Sequence, residues 1–395
     1  LTSDIDLSGI DWVPIGNLST PFTGSFDGNG YSITGLIINR STTDYIGLFG
    51  YTEKAIIENV ALEDIDITGG NYTGGLVGYA NDLTITNSYA TGRVSGVAYT
   101  GGLVGFAERS TTISNSYTTG EVTSEGNATG GLVGRVDSST VTNSYATGSV
   151  TGTGYSSTGG LVGYAGDLSR IINSYATGSV TGTGYSSTGG LVGYAGDSST
   201  ISNSYATGEV TSTGRNTGGL VGYAYQSTIT KSYATGSVTG EVYTGGLVGL
   251  VISSNITNSY ATSSVMGKSR TGGLVGQVQE SSITNSYATG AVTGAEDRTG
   301  GLVGNASNST NITNSYATGS VSGTESYTGG LVGQAGASSS ITSSYWDRQT
   351  TGQTKSSGGG TSKSTKDMKK RSTYVHWDFI NTWQINEGKS YPTLR

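Results

Sequence analysis

Chemistry in a protein needs reactive side chains brought together, and this sequence of 395 residues supplies few. There is one histidine, His376, and no cysteine. Neither a Ser/His/Asp nor a Cys/His arrangement can be assembled, and a zinc site would lack its usual ligands. Polysaccharide-cleaving enzymes use paired carboxylates. Here Glu121, Asp137, Asp167, Asp197, Glu209, Glu241 and Glu280 stand singly. Asp167 and Asp197 do occupy equivalent places in adjacent copies of a repeat, but on a Gly-Asp bend, where Asp is a turn residue. Asp4, Asp6 and Asp11 lack the spacing of a calcium-binding loop and read as solvated acids. The glycines recur without the Gly-Lys-Ser/Thr of a phosphate loop. No cofactor and no enzymatic activity are expected.

What does recur is binding-type chemistry laid out in ranks. Thr-x-Thr pairs, or Thr paired with Ser, flank an aliphatic residue at Thr84/Thr86, Thr112/Ser114, Thr140/Thr142, Thr200/Ser202 and Thr228/Thr230. The pattern continues with Thr284 and Thr313, and Arg170 with Ile172 interrupts it. Exposed Thr is a good strand residue. A flat, regular rank of it also resembles the ice-binding faces of some antifreeze proteins. A second column holds Asn87, Asn115, Asn143, Asn173 and Asn203, continuing to Asn314 and broken by Lys231 and Ser343. It reads as an amide ladder, each side chain bonding its copy one turn away. A third holds Tyr89, Tyr117, Tyr145, Tyr175 and Tyr205, continuing to Tyr345. It reads as a stacked aromatic row that stiffens the structure, with a sugar-stacking platform as the alternative.

The elements that position these ranks follow from the repeat itself. Gly-Leu-Val-Gly begins ten times between Gly75 and Gly330, a period of about 28 residues, after a Gly-Leu-Phe-Gly at Gly47. Residues 150–179 and 180–209 are nearly identical, as after an internal duplication. Comparing copies gives each column a side. Tyr79, Phe106, Arg135, Leu250, Gln277 and Asn305 share a column that accepts Arg and Gln, so it faces water. Its neighbour is always small and apolar (Ala80, Ala107, Val136), so it faces inward with Leu76. Ile85, Ile113, Val141 and their copies form a second inward column, and Val94, Val122, Val150 and theirs a third. Beside the Val column, Arg93, Glu121, Ser149 and Ala291 point out.

Each strand buries one or two aliphatic residues, too few to stand alone, so turns must stack about 4.8 Å apart with their hydrogen bonds running between them. The fold class is therefore all-β: a right-handed parallel β-solenoid, or β-helix, with three short strands per turn and roughly 11–13 turns. A helical alternative fails, since nothing repeats at 3.6 residues and glycine costs a helix about 1 kcal/mol per site.

The repeated GGLVGYA followed by NSYATGSVTG resembles the GLUG-motif repeat family of bacterial and archaeal surface proteins. The resemblance covers most of residues 44–345. It implies a secreted, extracellular or cell-surface location and an adhesive or stalk role, and it carries no catalytic residue. Residues 1–43 read as N-terminal capping coils, 44–345 as the solenoid and 346–395 as a C-terminal cap, rich in Trp377, Trp383 and Tyr391 after a basic run at Lys366, Lys369, Lys370 and Arg371.

Composition narrows the partners. The chain has 67 glycines, 12% charged residues, a net charge of −7 and no basic stripe, which argues against nucleic acid. No stretch is long and apolar enough to span a bilayer. Starting at Leu1 without a signal peptide, the chain reads as a mature protein or an excised segment. The function expected is a non-catalytic structural and adhesive rod. The candidate partners are cell-surface glycans, matrix or another surface, with ice as the alternative. Self-association through end coils into a filament is a third possibility.

Overall fold

A computed structural model describes residues 1–155, 157–184, 187–323 and 327–395. The chain is an all-β parallel β-solenoid of about 12 turns of about 28 residues, with almost no helix. It divides into two units, Leu1–Glu209 and Val210–Arg395.

In the first unit, one turn runs through Asn71–Gly74, Val77–Asn81, Thr84–Thr86 and Tyr89–Gly96. Every segment pairs in parallel with its own copy one turn on. Thr84, Ile85 and Thr86 lie beside Thr112, Ile113 and Ser114, and Val94 beside Val122. The segments fall into three sheets. The sheet holding the Ile and Val columns bends between them, so from the third repeat on a turn gives it three pieces, such as Thr112–Ser114, Tyr117–Thr118 and Val122–Ser124. Of the three strands expected per turn, those of the Ile and Val columns thus share one creased sheet, and the third sheet is formed by the Thr-Gly segments, such as Asn71–Gly74 and Ala98–Gly101, where the sequence suggested only a bend.

The inward columns are Leu76, Ala80, Ile85 and Val94 and their copies, all 2% exposed or less in this turn. β-Branched residues fill the strand positions because their stiff side chains pack well on a pleated surface. Val77 is buried as completely as Leu76, which strict alternation does not predict. The chain bends at Gly75–Leu76, resetting the period between them. Behind this bend two backbones nearly touch. A Cβ on Gly78 would lie 2.7 Å from the Tyr72 carbonyl oxygen, and one on Gly74 2.3 Å from that of Val77. Only glycine fits there.

The creased corner is held by Asn-Ser. Asn59, Asn87, Asn115, Asn143, Asn173 and Asn203 adopt φ between 50° and 55°, the left-handed region that Asn tolerates better than most residues. From Asn87 on, the serine that follows is fully buried. The Ser88 hydroxyl donates to the Thr86 carbonyl at 3.0 Å, and the Ser88 N–H donates to the Ser116 hydroxyl one turn on at 3.1 Å. This file of serines satisfies backbone groups that the bend strips from the ladder.

At the start of this unit, residues 1–43 form irregular coils. Ile5–Asp6 pairs with Ser32–Thr34, and Ser25–Asp27 with Ile56–Glu58. Phe22 and Phe26 pack on buried Phe49, with ring centroids 4.8 and 5.4 Å away.

The second unit repeats the turn. Ile229, Ile256, Ile283 and Ile312 are fully buried, and Val238, Val265 and Val292 are at most 2% exposed. The buried serine file reappears at Ser232, Ser259, Ser286, Ser315 and Ser344. Its last full strand, Ser340–Asp347, pairs with Gly359–Lys363, which closes that edge. Residues 365–395 do not cover the end of the stack. They lie along its side, where Met368, Tyr374, Trp377, Phe379 and Trp383 form one buried cluster with Tyr287, Tyr316 and Tyr345.

Candidate functional site

The Thr ranks lie on the outer face of the sheet that carries the Ile column. With Ile85 buried, period-2 geometry turns Thr84 and Thr86 outward. Thr84 and Thr228 are exposed, and Thr86, Thr112, Ser114, Thr140, Thr142, Thr200, Ser202, Thr230, Thr284 and Thr313 are half-exposed. Neighbouring hydroxyls meet along the rank: Thr86 and Ser114 oxygens are 3.3 Å apart. In the first unit the pairing Thr140–Arg170–Thr200 and Thr142–Ile172–Ser202 breaks both ranks.

In the second unit one rank is unbroken. Thr230, Thr257, Thr284, Thr313 and Thr342 lie in parallel register on five successive turns. Thr257 and Thr342 are additions to the candidates named from the sequence, which included Thr284 and Thr313 of the same rank. A search of the second position alone would have found them. The accompanying outer rank, Thr228, Asn255, Ser282, Asn311 and Ser340, is polar throughout, and Ser282 donates to Asn255 at 2.6 Å.

The Asn column does two jobs. The Asn173 amide donates to Asn143 Oδ1 at 3.2 Å and Asn87 to Asn59 at 3.2 Å, with Asn285 to Asn258 and Asn314 to Asn285 in the second unit. Asn115 and Asn203 stand at the same exposed corner. The shared left-handed backbone accounts for Asn at every copy, including those with no amide bond to a neighbour.

The Tyr row is a stack of rings. Tyr89, Tyr117, Tyr145, Tyr175 and Tyr205 sit 4.8–4.9 Å apart, tilted by 7° or less. Each ring covers its neighbour's faces, so the row offers solvent only ring edges and phenol oxygens. A sugar stacks on a ring face, and this geometry does not support a stacking platform there. Burial raises the Tyr117 and Tyr175 phenols above their ordinary value. For Tyr89 the leading cause is the hydrogen bond to Glu63, 2.6 Å.

In the second unit the C-terminal segment covers the equivalent row. Tyr316 is 1% exposed, and Trp377 Nε1 donates to the Ser343 carbonyl at 2.9 Å. Tyr391 donates to Asp347 at 2.7 Å, and burial with that bond pushes its phenol up to about 12. The basic run is partly absorbed here: Lys370 pairs with Asp367 at 3.0 Å, Lys369 lies over Tyr391 and Arg371 over Phe379. Lys366 remains exposed.

One expectation needs correction. The column of Tyr79, Phe106, Arg135 and Leu250 does not simply face water: Phe106 and Leu250 are 9% exposed and Tyr79 and Arg135 are half-buried. The column is outside the core, but it forms one wall of a corner whose other wall is Tyr45, Tyr72 and Tyr99. Tyr72 and Tyr79 meet edge to face at 5.2 Å.

Elsewhere the acids hold a neighbouring coil, a turn or a base. Asp4 accepts the Ser32 N–H at 2.9 Å, Asp6 accepts Ser8 at 2.8 Å, and Asp11 pairs with Arg40 at 2.9 Å. Asp197 and Leu168 occupy left-handed turn positions. Among the described residues no group of three or more His, Cys, Asp or Glu could hold a metal ion, and no helix is long and apolar enough to cross a membrane.

Comparison with known proteins agrees with the repeat. The chain is 41% identical over 109 residues to halomucin of Haloquadratum walsbyi, a stretch covering 24% of this chain and 1% of that one. It is 45% identical over 69 residues to a protein of Evansella cellulosilytica named as a Gly-rich membrane protein, covering 17% of this chain and 8% of that one. The chain thus spans a small part of these relatives' length. A solved Bacteroides ovatus protein named as an immunoglobulin A1 protease aligns over 100% of this chain and 84% of its own, at 18% identity and a TM-score of 0.26. That likeness is too low to bear on fold or activity. The family described as the GLUG motif matches residues 69–95, 125–151, 154–181, 184–211, 213–239, 240–266, 267–293 and 297–322, and with more than half its length so accounted for, the chain belongs to the GLUG-motif family.

Proposed function

We propose that this chain is a non-catalytic structural and adhesive module of the extracellular surface. It would hold a neighbouring domain away from the cell and present repetitive faces to matrix or surface glycans. The observation that carries the reading is the self-pairing of each turn. Within each unit every strand column is bonded to its own copies, so the same Thr, Asn and Tyr groups recur at about 4.8 Å intervals on a stiff support. The names of the two relatives, halomucin and a Gly-rich membrane protein, support a surface setting. The test is display of the chain on a non-adherent host, with retention measured under flow on immobilised matrix and wall polysaccharides. Retention well above that of the carrier alone is expected. Equal retention removes the adhesive half of the proposal.

The unbroken rank Thr230–Thr342 favours a second reading, in which the face binds a crystalline surface such as ice. Thr257→Tyr with Thr284→Tyr would disrupt its flatness while leaving the buried Ile column alone. If the unaltered chain leaves ice recrystallisation unchanged, this reading fails.

A further inference from the structure

The aromatic corner of the first unit contains a gap. Tyr45, Tyr72 and Tyr99 stack along one wall, with centroids 5.0 and 5.1 Å apart and tilts of 8° and 10°. All three hold left-handed backbone, at φ 62°, 57° and 51°. That conformation is unfavourable for a bulky L-residue. A chain with 67 glycines could have relieved it, yet it keeps tyrosine on three successive turns. The backbone conformation itself belongs to this corner, since Ala128, Arg270, Arg298 and Tyr327 share it, so what sets these three turns apart is their run of rings.

On the next two turns the column changes to Ala128 and Ser157, and Ala128 keeps the same backbone at φ 55°. The ladder therefore ends at Tyr99 with no further ring beyond it, and the Arg135 guanidinium lies over part of that ring, 5.9 Å from its centroid. Above it opens a cleft of about 250 Å³, walled by Tyr99, Tyr164 and Tyr155 with Arg135, Asn127 and Ser157 among its lining. Tyr155 is 82% exposed and comes from the bend over 151–158, two residues longer than its counterpart over 95–100.

Arg135 is fixed in place. Its guanidinium donates to Asp137 Oδ2 through Nε at 2.8 Å and Nη2 at 2.7 Å, and it lies 4.7 Å from the Tyr164 ring centroid and 5.2 Å from that of Phe106. Two N–H groups are thereby used, leaving three of a guanidinium's five donors. Because Asp137 neutralises it, the cleft offers oriented hydrogen-bond donors rather than net positive charge.

We propose that this cleft binds a single neutral pyranose ring of a carbohydrate chain, its apolar face stacked on Tyr99 and its hydroxyls bonded by Arg135, Asn127 and Ser157. The volume lies below the range of about 300–1,000 Å³ typical of drug-sized ligands, which suits one ring. An aromatic side chain would also stack but would use none of the hydrogen bonds that the polar lining offers to a sugar's hydroxyls. An acidic sugar would meet a guanidinium already paired with a carboxylate in a chain of net charge −7.

This site deepens the adhesive reading by naming its ligand class, and the two fail separately. Loss of retention under flow with sugar binding intact overturns only the former. The experiment is an array of neutral glucan, galactan, mannan and chitin oligomers beside uronic-acid and sulfated polymers, probed with the full chain. Three variants accompany it: Tyr99→Ala, Ala128→Tyr and Tyr89→Ala, the last in the separate Tyr row. Ala128→Tyr rebuilds the missing rung at a position whose preceding copies already hold Tyr, so it should fold and fill the cleft. Expected are binding to one neutral class, at least tenfold weaker in Tyr99→Ala and Ala128→Tyr, and unchanged in Tyr89→Ala. If Ala128→Tyr does not fold, Tyr99→Ala alone decides. Failure of the unaltered chain to bind any neutral glycan overturns the proposal. So does binding confined to acidic polymers, or binding indifferent to both cleft variants.

Discussion

Lys231 occupies a position built for asparagine. Its φ is 49°, and Asn258, Asn285 and Asn314 of the same unit sit at 51°, 49° and 50°. A left-handed backbone costs most L-residues roughly 1–2 kcal/mol, and Asn is among the few that visit it routinely. Lys231→Asn should recover about 1 kcal/mol of that. It also gives the Asn258 amide the acceptor that Asn258 itself offers Asn285 at 3.1 Å, worth about 0.5 kcal/mol at an exposed site. The expected gain is about 1–1.5 kcal/mol. Lys231→Ala keeps the strain and should stay within about 0.5 kcal/mol of the parent. Lys231→Gly relieves the strain but adds disorder to the unfolded chain, and falls between. Three of the four tryptophans (Trp346, Trp377 and Trp383) lie in this unit, so their fluorescence in a urea titration reports its unfolding. With a slope of roughly 3 kcal/mol/M, the Asn variant's midpoint rises by about 0.3–0.5 M. If Ala matches Asn, removal of a charge is the cause and the conformational reasoning is wrong.

Two further outcomes follow from buried groups and close contacts. Burial raises the Tyr287, Tyr316 and Tyr374 phenols above the ordinary value of 10. Above pH 10 the unfolded chain therefore holds fewer protons than the folded one, so stability is full below pH 10 and falls as pH rises beyond it, by up to about 1.4 kcal/mol per pH unit for each phenol. Melts between pH 9 and 11.5, with phenolate absorbance recorded alongside, check this; three phenols ionising normally in the folded protein would contradict it. Gly276→Ala would place a Cβ 2.6 Å from the Thr244 nitrogen and 2.7 Å from the Gly249 oxygen, costing about 1–3 kcal/mol by overpacking. Gly336→Ala, whose nearest neighbour is 3.6 Å away, should be nearly neutral in the same urea titration.

The inward columns were legible because each residue is paired with its own copy. A column of Ile85, Ile113 and Val141 in one chain records what the site accepts, much as an alignment would. The same comparison cannot see a group buried for its hydrogen bonds. Ser88 and its copies drew no reading from their column, yet they are fully buried, because their hydroxyls replace backbone partners lost at the crease. The aromatic corner was hidden for another reason. Tyr72 and Tyr79 are seven residues apart on different sheets, and period-2 reasoning within one strand says nothing about how two outer columns meet across a bend. The cap's aromatic residues were visible, but composition suggested closure of the last turn. They cover Tyr287, Tyr316 and Tyr345 on the flank instead, while the short strand Gly359–Lys363 closes the end.

Parallel self-pairing in register also bears on how such a chain changes length over generations. A strand whose neighbour is its own copy makes the same bonds whichever copy it meets. Residues 150–179 and 180–209 are nearly identical, and Val150 pairs with Val180 as Tyr145 does with Tyr175. Excising or duplicating one such block by misaligned recombination leaves every remaining strand with an equivalent partner, so the product still folds. An insertion inside a strand shifts Ile, Val or Leu out of its column, whereas the bends absorb a residue or two, as between 95–100 and 151–158. The gene can thus lengthen or shorten its product in whole turns while the turns that remain keep equivalent partners.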